Sequence, residues 1–214
     1  MKNTISFRAL FFSFSLFLCS MASFAQDATV VIGKQTWSVA NFDLEYFSDG
    51  TPITQAKDIS EWKMYAESGT PAWCYYNFDA KLGKKYGKLY NIHAVLSARG
   101  LAPVGFHVAD NSDWNILKEY LGGAGSAVIK MKSTSGWMYD ANGKNEVQFN
   151  ALPGGYLNDD DTFSGLTFIG AWWTSNEYAA NITESGKTKL YSFGLYAVNS
   201  SNKHYGFPVR YVKN

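Results

Sequence analysis

The chain has 214 residues, and its 19 basic side chains nearly balance its 18 acidic ones. Without a polybasic run, that balance argues against nucleic acid or an anionic membrane surface as a partner, because both select a basic face. The length fits one domain, or one domain with an elaborated loop region, and suffices to bury a core without metal or disulfide staples.

Residues 1–25 have the pattern of a secretory signal peptide. Lys2 and Arg8 supply the positive n-region, residues 9–18 are nearly all Phe, Leu and Ser, and Ser23-Phe24-Ala25 places small residues where a signal peptidase reads. The apolar run is too short for a span, which needs roughly 20 predominantly apolar residues, so no transmembrane segment is expected. A lipoprotein signal ending at Cys19 is the alternative, although Phe17 and Leu18 are bulky where a lipobox has small residues. Cleavage after Ala25 leaves 17 basic against 18 acidic residues and a single cysteine, Cys74. Such a domain, residues 26–214, cannot close an internal disulfide even in an oxidising compartment and has to stand on packing. The material for packing is aromatic, with 7 Trp, 14 Tyr and 15 Phe in the precursor.

Thr29-Val-Val-Ile32 and residues 35–39 predict two short strands about Gly33-Lys34. Residues 41–88 are expected as ordered loops pinned by Trp62, Trp73 and Tyr75, because Gly, Pro, Asp and Asn interrupt every periodic pattern. A short helix is predicted at residues 91–99, with Ile92, Val95 and Leu96 on the buried face and Gly100 as its stop. A second is predicted at 110–121: Asp110 caps it, Asp113 sits at N3, and Trp114, Leu117 and Leu121 form one stripe before Gly122-Gly123. Beyond it Gly, Asn and Ser separate short aromatic runs, and residues 207–212 predict a terminal strand. Helices early and strands late make an α+β domain.

Six blocks in order carry a family resemblance: YGKLYNIHAV (86–95), GFHVADNSDWNILKEYLGG (105–123), the Lys132-Ser133 and Gly136-Trp137 segment, FNALPGGY (149–156), AWWTSNE (171–177) and GFPVRYVKN (206–214). Together they resemble the Fibrobacter succinogenes major paralogous domain family over almost the whole mature chain. That resemblance implies an exported bacterial protein with a C-type lectin-like fold, similar also to sulfatase-modifying factors. Two short helices would flank a small, mostly antiparallel sheet, the N- and C-terminal strands would pair, and a long loop region would hold the binding surface. The chain departs from the family pattern at Ala102-Pro103, where relatives read Cys-Pro, and at Val209-Arg210-Tyr211, where they read Val-Arg-Cys. The paired loss implies a disulfide in relatives that packing replaces here. Ala109 also stands where the family tends to have Pro, which affects the helix entry.

Candidate chemistry is sparse. Asp159, Asp160 and Asp161, with Glu177 and the neighbouring Asn158 and Asn176, are oxygen ligands of the kind calcium takes, so calcium is the one cofactor the sequence suggests. The alternative is a solvated turn, as no EF-hand spacing exists and the sugar-binding triplets of C-type lectins are absent. Cys74 lies among Trp73, Tyr75 and Tyr76, a setting for a buried small hydrophobe rather than a nucleophile. His93, His107 and His204 have no metal-binding spacing. Trp172 and Trp173 are adjacent, so an extended backbone points them to opposite faces. An outward ring beside Tyr156 and Tyr178 would form a stacking platform; burial of both rings is the alternative. Arg210 is expected in an internal salt bridge or backbone contact. The sequence therefore predicts a non-catalytic binding or adhesion module outside the cell or on its surface, with a glycan or cell-surface protein as ligand. An enzyme derived from the same fold would instead require the histidines and Cys74 to meet in one cleft, and a structural envelope protein would show neither cleft nor exposed aromatic patch.

Overall fold

A computed structural model describes residues 28–176, 178–185, 190–197 and 203–214, the stretches 178–185 and 190–197 by their backbone alone. The predicted signal peptide lies outside the described residues. The predicted hairpin forms: β1 (Thr29–Ile32) pairs antiparallel with β2 (Gln35–Ser38), Val30 opposite Trp37. Gly33 takes φ 62° at the turn, and a Cβ there would meet the Tyr120 ring at 2.9 Å, so conformation and space both require glycine.

The stretch expected as loops is structured. It contains β3 (Thr54–Gln55), α1 (Ile59–Ser68), β4 (Ala72–Cys74), a 3-10 turn at Tyr76–Phe78, α2 (Ala80–Tyr86) and β5 (Leu89–Tyr90). The signal for α1 lies in its ends: the Asp58 carboxylate accepts from the Glu61 N–H at 2.9 Å, and the Glu61 carboxylate accepts from the Lys57 N–H at 2.8 Å. Only Trp62 and Ala66 of its ten residues are buried, too few to make a visible stripe.

The next helix is shorter than predicted. α3 is Ile92–Val95, and Leu96 is left 43% exposed beyond its end. Asn91 holds this helix to β4: its side-chain oxygen accepts from the N–H groups of Ala94 and Ala72, and its amide donates to the Thr70 carbonyl. After β6 (Phe106–Val108), α4 (Asn111–Tyr120) follows the prediction, with the reciprocal Asp110–Asp113 capping box in place and Trp114, Leu117 and Leu121 buried. A further helix, α5 (Ala124–Met131), follows directly; its Gly123 cap and internal Gly125 conceal the Ala127, Val128, Met131 face. The strands β7 (Gly154–Leu157), β8 (Phe163–Leu166), β9 (Ile169–Trp173), β10 (Tyr178–Ser185), β11 (Leu190–Ala197) and β12 (Tyr211–Lys213) complete the chain. The last is shorter than predicted, because Phe207 forms an isolated bridge with Tyr90 before Pro208.

The result is an α+β domain with several small, mostly antiparallel sheets. One has the order β1-β2-β12-β6, which joins the terminal hairpin to the end of the chain through Val212 opposite Trp37. The others are β11-β10-β9, β3-β4-β5 and the β7-β8 hairpin, and among the described strand pairs only β3–β4 is parallel. Tryptophans fill the space between them. Trp37, Trp114, Phe149 and Trp172 pack with ring centroids 4.8–5.9 Å apart. A second cluster holds Phe42, Tyr90, Trp173, Phe207 and Tyr211. Ala102 belongs to that cluster too, and Tyr211 meets Phe42 and Phe106 edge-on, so aromatic packing occupies the place where the family resemblance implies a disulfide.

Arg210 is fully buried in the first cluster, its guanidinium 4.5 Å above the Phe149 ring. Nε donates to the Asn41 Oδ1 at 2.9 Å, and the two terminal nitrogens donate to the carbonyls of Ser38 and Asn150 at 2.7 and 3.2 Å. No carboxylate is among these partners, so the contact is to backbone and amide oxygens rather than a salt bridge. Burial pulls its pKa down to about 9, which leaves the group charged at neutral pH. Replacing Arg210 with Met leaves the Ser38 and Asn150 carbonyls without this donor and Asn41 Oδ1 with Trp172 alone, and is expected to cost about 3 kcal/mol. Arg210→Lys keeps the charge without the fork and recovers only part of the loss. Urea denaturation of the two variants measures both effects.

Candidate functional site

The half-buried aromatic surface lies where the β7–β8 hairpin meets the return segment before β12. Leu157 and Gly206 exchange two backbone hydrogen bonds of 2.9 Å, which lays residues 205–207 alongside β7. Gly206 is required there, because a Cβ would meet the Trp62 ring at 2.9 Å. Period-two alternation then places Tyr156, Tyr205 and Phe207 together. Phe207 is buried and stacks on Tyr156 (centroids 5.1 Å, 22°) and on Tyr205 (5.4 Å, 20°), while the two tyrosines stay partly exposed. The Tyr156 phenol is raised above its ordinary pKa, first by burial and then by the nearby carboxylates of Asp159 and Asp160. The rings thus carry an acidic margin.

The other predicted platform residues are placed differently. Trp172 and Trp173 do point to opposite faces of β9, but each face is covered, and both rings are fully buried. Trp172 donates its indole N–H to Asn41 at 2.7 Å and Trp173 to the Tyr90 carbonyl at 2.6 Å. Of the two arrangements the sequence allows, burial of both rings is the one observed, because β9 is a wall between two cores rather than a surface strand. Tyr178 begins β10 opposite Ala197, and its side chain lies outside the described residues. Tyr205 lies outside the blocks that single out the other platform residues, and its spacing two residues before buried Phe207 is the signal that marks it.

The acidic run does not converge. The Asp160 carboxylate closes the turn by accepting from the hydroxyl and the N–H of Thr162, and these bonds, the hydroxyl's first, hold its pKa below the usual range. Asp161, at φ 66°, receives Lys63 at 2.6 Å and His204 Nδ1 at 3.0 Å. The other nitrogen of His204 contacts Glu67 at 2.8 Å, and Glu67 pairs with Lys203. This chain of charges ties α1 to the hairpin turn and to the return segment. Asp159 is exposed on the same turn, and Glu177 lies outside the described residues. Among the described residues, no group of three or more His, Cys, Asp or Glu side chains is arranged to hold a metal ion.

The histidines and Cys74 do not meet. Cys74 is buried, and burial pushes its thiol well above its ordinary pKa, which keeps it a poor nucleophile. His93 contacts the Ala66 carbonyl, and His107 lies on β6 between Asp113 (2.8 Å) and Asn214 (2.7 Å). A cleft of about 260 Å3 opens beside β6, with Val95, Leu101, Pro103, Phe106, His107 and Ser175 among its lining residues. Both ring nitrogens of His107 are engaged, so this cleft contains no hydroxyl–imidazole pair of the kind that activates a nucleophile.

Backbone strain gathers in one region. Among the described residues, seven of the nine non-glycine positions with positive φ fall between residues 139 and 167: Tyr139, Asp140, Asn145, Gln148, Asn150, Asp161 and Thr167. Thr167, at φ 69°, is β-branched and hence especially unfavourable there, and its hydroxyl is buried with no hydrogen-bond partner.

Fold and surface together define an α+β domain with an aromatic core, a half-buried tyrosine platform and an acidic turn beside it. The chain belongs to the Fibrobacter succinogenes major domain family, whose profile matches residues 30–213. No curated protein and no solved structure matches it.

Two measurements follow from this geometry. Thr167→Gly relieves the backbone and removes the unpaired hydroxyl, for an expected gain of about 1 kcal/mol. Calorimetry should show the melting temperature rise by about 2–4 °C. For His107, partial burial favours the neutral ring, but the bonds to Asp113 and Asn214 outweigh it, and the pKa is raised. A raised folded pKa contributes stability that is complete below about pH 6.5, the unfolded value, and is lost as pH climbs through the folded one. The ring is partly exposed, so the expected loss is under about 1 kcal/mol. Thermal melts across pH 5.5–8.5 check it, and His107→Ala should flatten that part of the profile.

Proposed function

We propose that this protein is an exported, non-catalytic binding or adhesion module of C-type lectin-like architecture that takes a glycan at the Tyr156–Tyr205 platform. The observation that carries the proposal is the stack itself: two partly exposed tyrosines supported by buried Phe207, beside carboxylates that accept hydrogen bonds from sugar hydroxyls. Export is supported by the signal-peptide pattern of residues 1–25. The C-type lectin-like architecture is supported by a sheet that joins the N-terminal hairpin to the final strand, with helices beside it. Calcium is not needed for this mode of recognition, since Asp160 and Asp161 are committed to Thr162, Lys63 and His204.

Binding to a panel of immobilised plant, fungal and bacterial polysaccharides tests the proposal. The intact protein is expected to retain its ligand in the presence of a chelator, and Tyr156→Ala with Tyr205→Ala to lose binding by at least about tenfold while keeping its melting transition. Equal retention of the double variant would remove the platform from consideration. Loss on chelation, matched by a melting temperature that rises with calcium, would return the site to the acidic turn.

A further inference from the structure

Trp137–Asp140 forms a second aromatic display at the opposite end of the same hairpin. Trp137 is buried, with its indole N–H shared between Ser133 Oγ and the Ala151 carbonyl, and Ala141 is buried on the other side. The three residues between these anchors are pushed outward: Met138, Tyr139 and Asp140 are all exposed, Tyr139 by 60%. Tyr139 and Asp140 both adopt positive φ, 57° and 54°, a costly arrangement for two consecutive non-glycine residues. The Met138 N–H donates to the Thr167 carbonyl at 3.0 Å, and the Tyr139 ring meets Phe168 edge-on at 5.8 Å. Thr167 is itself the strained residue with the unpartnered hydroxyl, so two unfavourable backbone segments are pinned together directly beneath one solvent-facing ring pair.

The hairpin relates this pair to the first platform. The Thr167 N–H donates to the Pro153 carbonyl just before β7, and Tyr156 lies three residues further along, so about 10 Å of strand separates Tyr156 from the backbone anchor of the second ring pair. Asp140 and Asn142, close to Tyr139 in the chain, are both exposed and add polar groups to this segment, although Asn142 Oδ1 already accepts from the Trp137 N–H at 3.1 Å. We propose that Tyr139 and Phe168 form a second stacking subsite, so that the ligand is a linear oligosaccharide long enough to reach from Tyr156 to Tyr139 rather than a single sugar or a chain end. This inference rests on the glycan reading of the Tyr156 platform.

Isothermal titration of the purified protein with linear β-1,4 gluco-, xylo- and N-acetylglucosamine oligomers, from two to six rings, separates the two claims. Affinity is expected to increase with chain length and then level off. Tyr139→Ala should weaken the longest bound oligomer about tenfold and leave the shortest unchanged, whereas Tyr156→Ala weakens both. Phe168→Ala, expected to release the Tyr139 ring, serves as the second variant and should repeat the Tyr139 pattern. Length-independent affinity, or identical binding of long oligomers by Tyr139→Ala and the parent, overturns the second subsite while leaving the first intact. Failure of the parent to bind any oligomer overturns this inference together with the reading beneath it.

Discussion

The constraint on which the rest of the fold depends is the placement of a guanidinium where water cannot reach it. Arg210 has to find its partners within the protein, and it finds them on two segments far apart in the chain: Ser38 and Asn41 at and just beyond the end of β2, and Asn150 before the hairpin. Asn41 serves twice, since its Oδ1 also accepts from Trp172 and its amide donates to the Tyr86 carbonyl. A single amide side chain thereby fixes the last strand, β9 and the end of α2 relative to one another. Buried ionic and polar groups of this kind add little net stability over an apolar equivalent, but any alternative arrangement that leaves them unpaired is heavily penalised. We regard specificity of the arrangement as their main contribution here.

Around that polar centre the chain uses rings for the cross-linking that Cys74, the one cysteine among the described residues, cannot supply. Tyr211 packs between Phe42 and Phe106, and Lys88 is held below the rings of Trp73 and Tyr75 while pairing with Asp43. Rings bring large buried area with few rotatable bonds, so the entropy lost on ordering them is modest for the contact they make. The same economy extends to the half-buried tyrosine platform. Phe207 belongs to the core, and the tyrosines stacked on it inherit its rigidity.

What the sequence revealed depended on whether the decisive contacts were local. The β1–β2 hairpin and α4 were legible because their signals sit within the element: a Gly-containing turn between β-branched runs, and a capping box followed by the Trp114, Leu117, Leu121 stripe. α1 was not, because only two of its residues face the core and its caps, Asp58 and Glu61, look like ordinary surface acids. α5 was hidden by two glycines. At the site, Tyr156 was found from its block, but the exposure of neither tryptophan could be judged without knowing that β9 is covered on both faces. The Asp161–His204–Glu67 chain joins residues up to 137 positions apart, a pairing no local pattern encodes.

The two tryptophans of β9 bear on how the domain comes apart. Each contributes its ring to a different cluster, so the strand is a party wall: removing the cover from one side exposes one tryptophan and shifts the backbone that positions the other. Neither half can loosen while the other keeps its packing, and the two clusters are bound into a single cooperative unit. A pull applied at the tyrosine platform, whose Phe207 support belongs to one cluster, is thereby resisted by both cores at once.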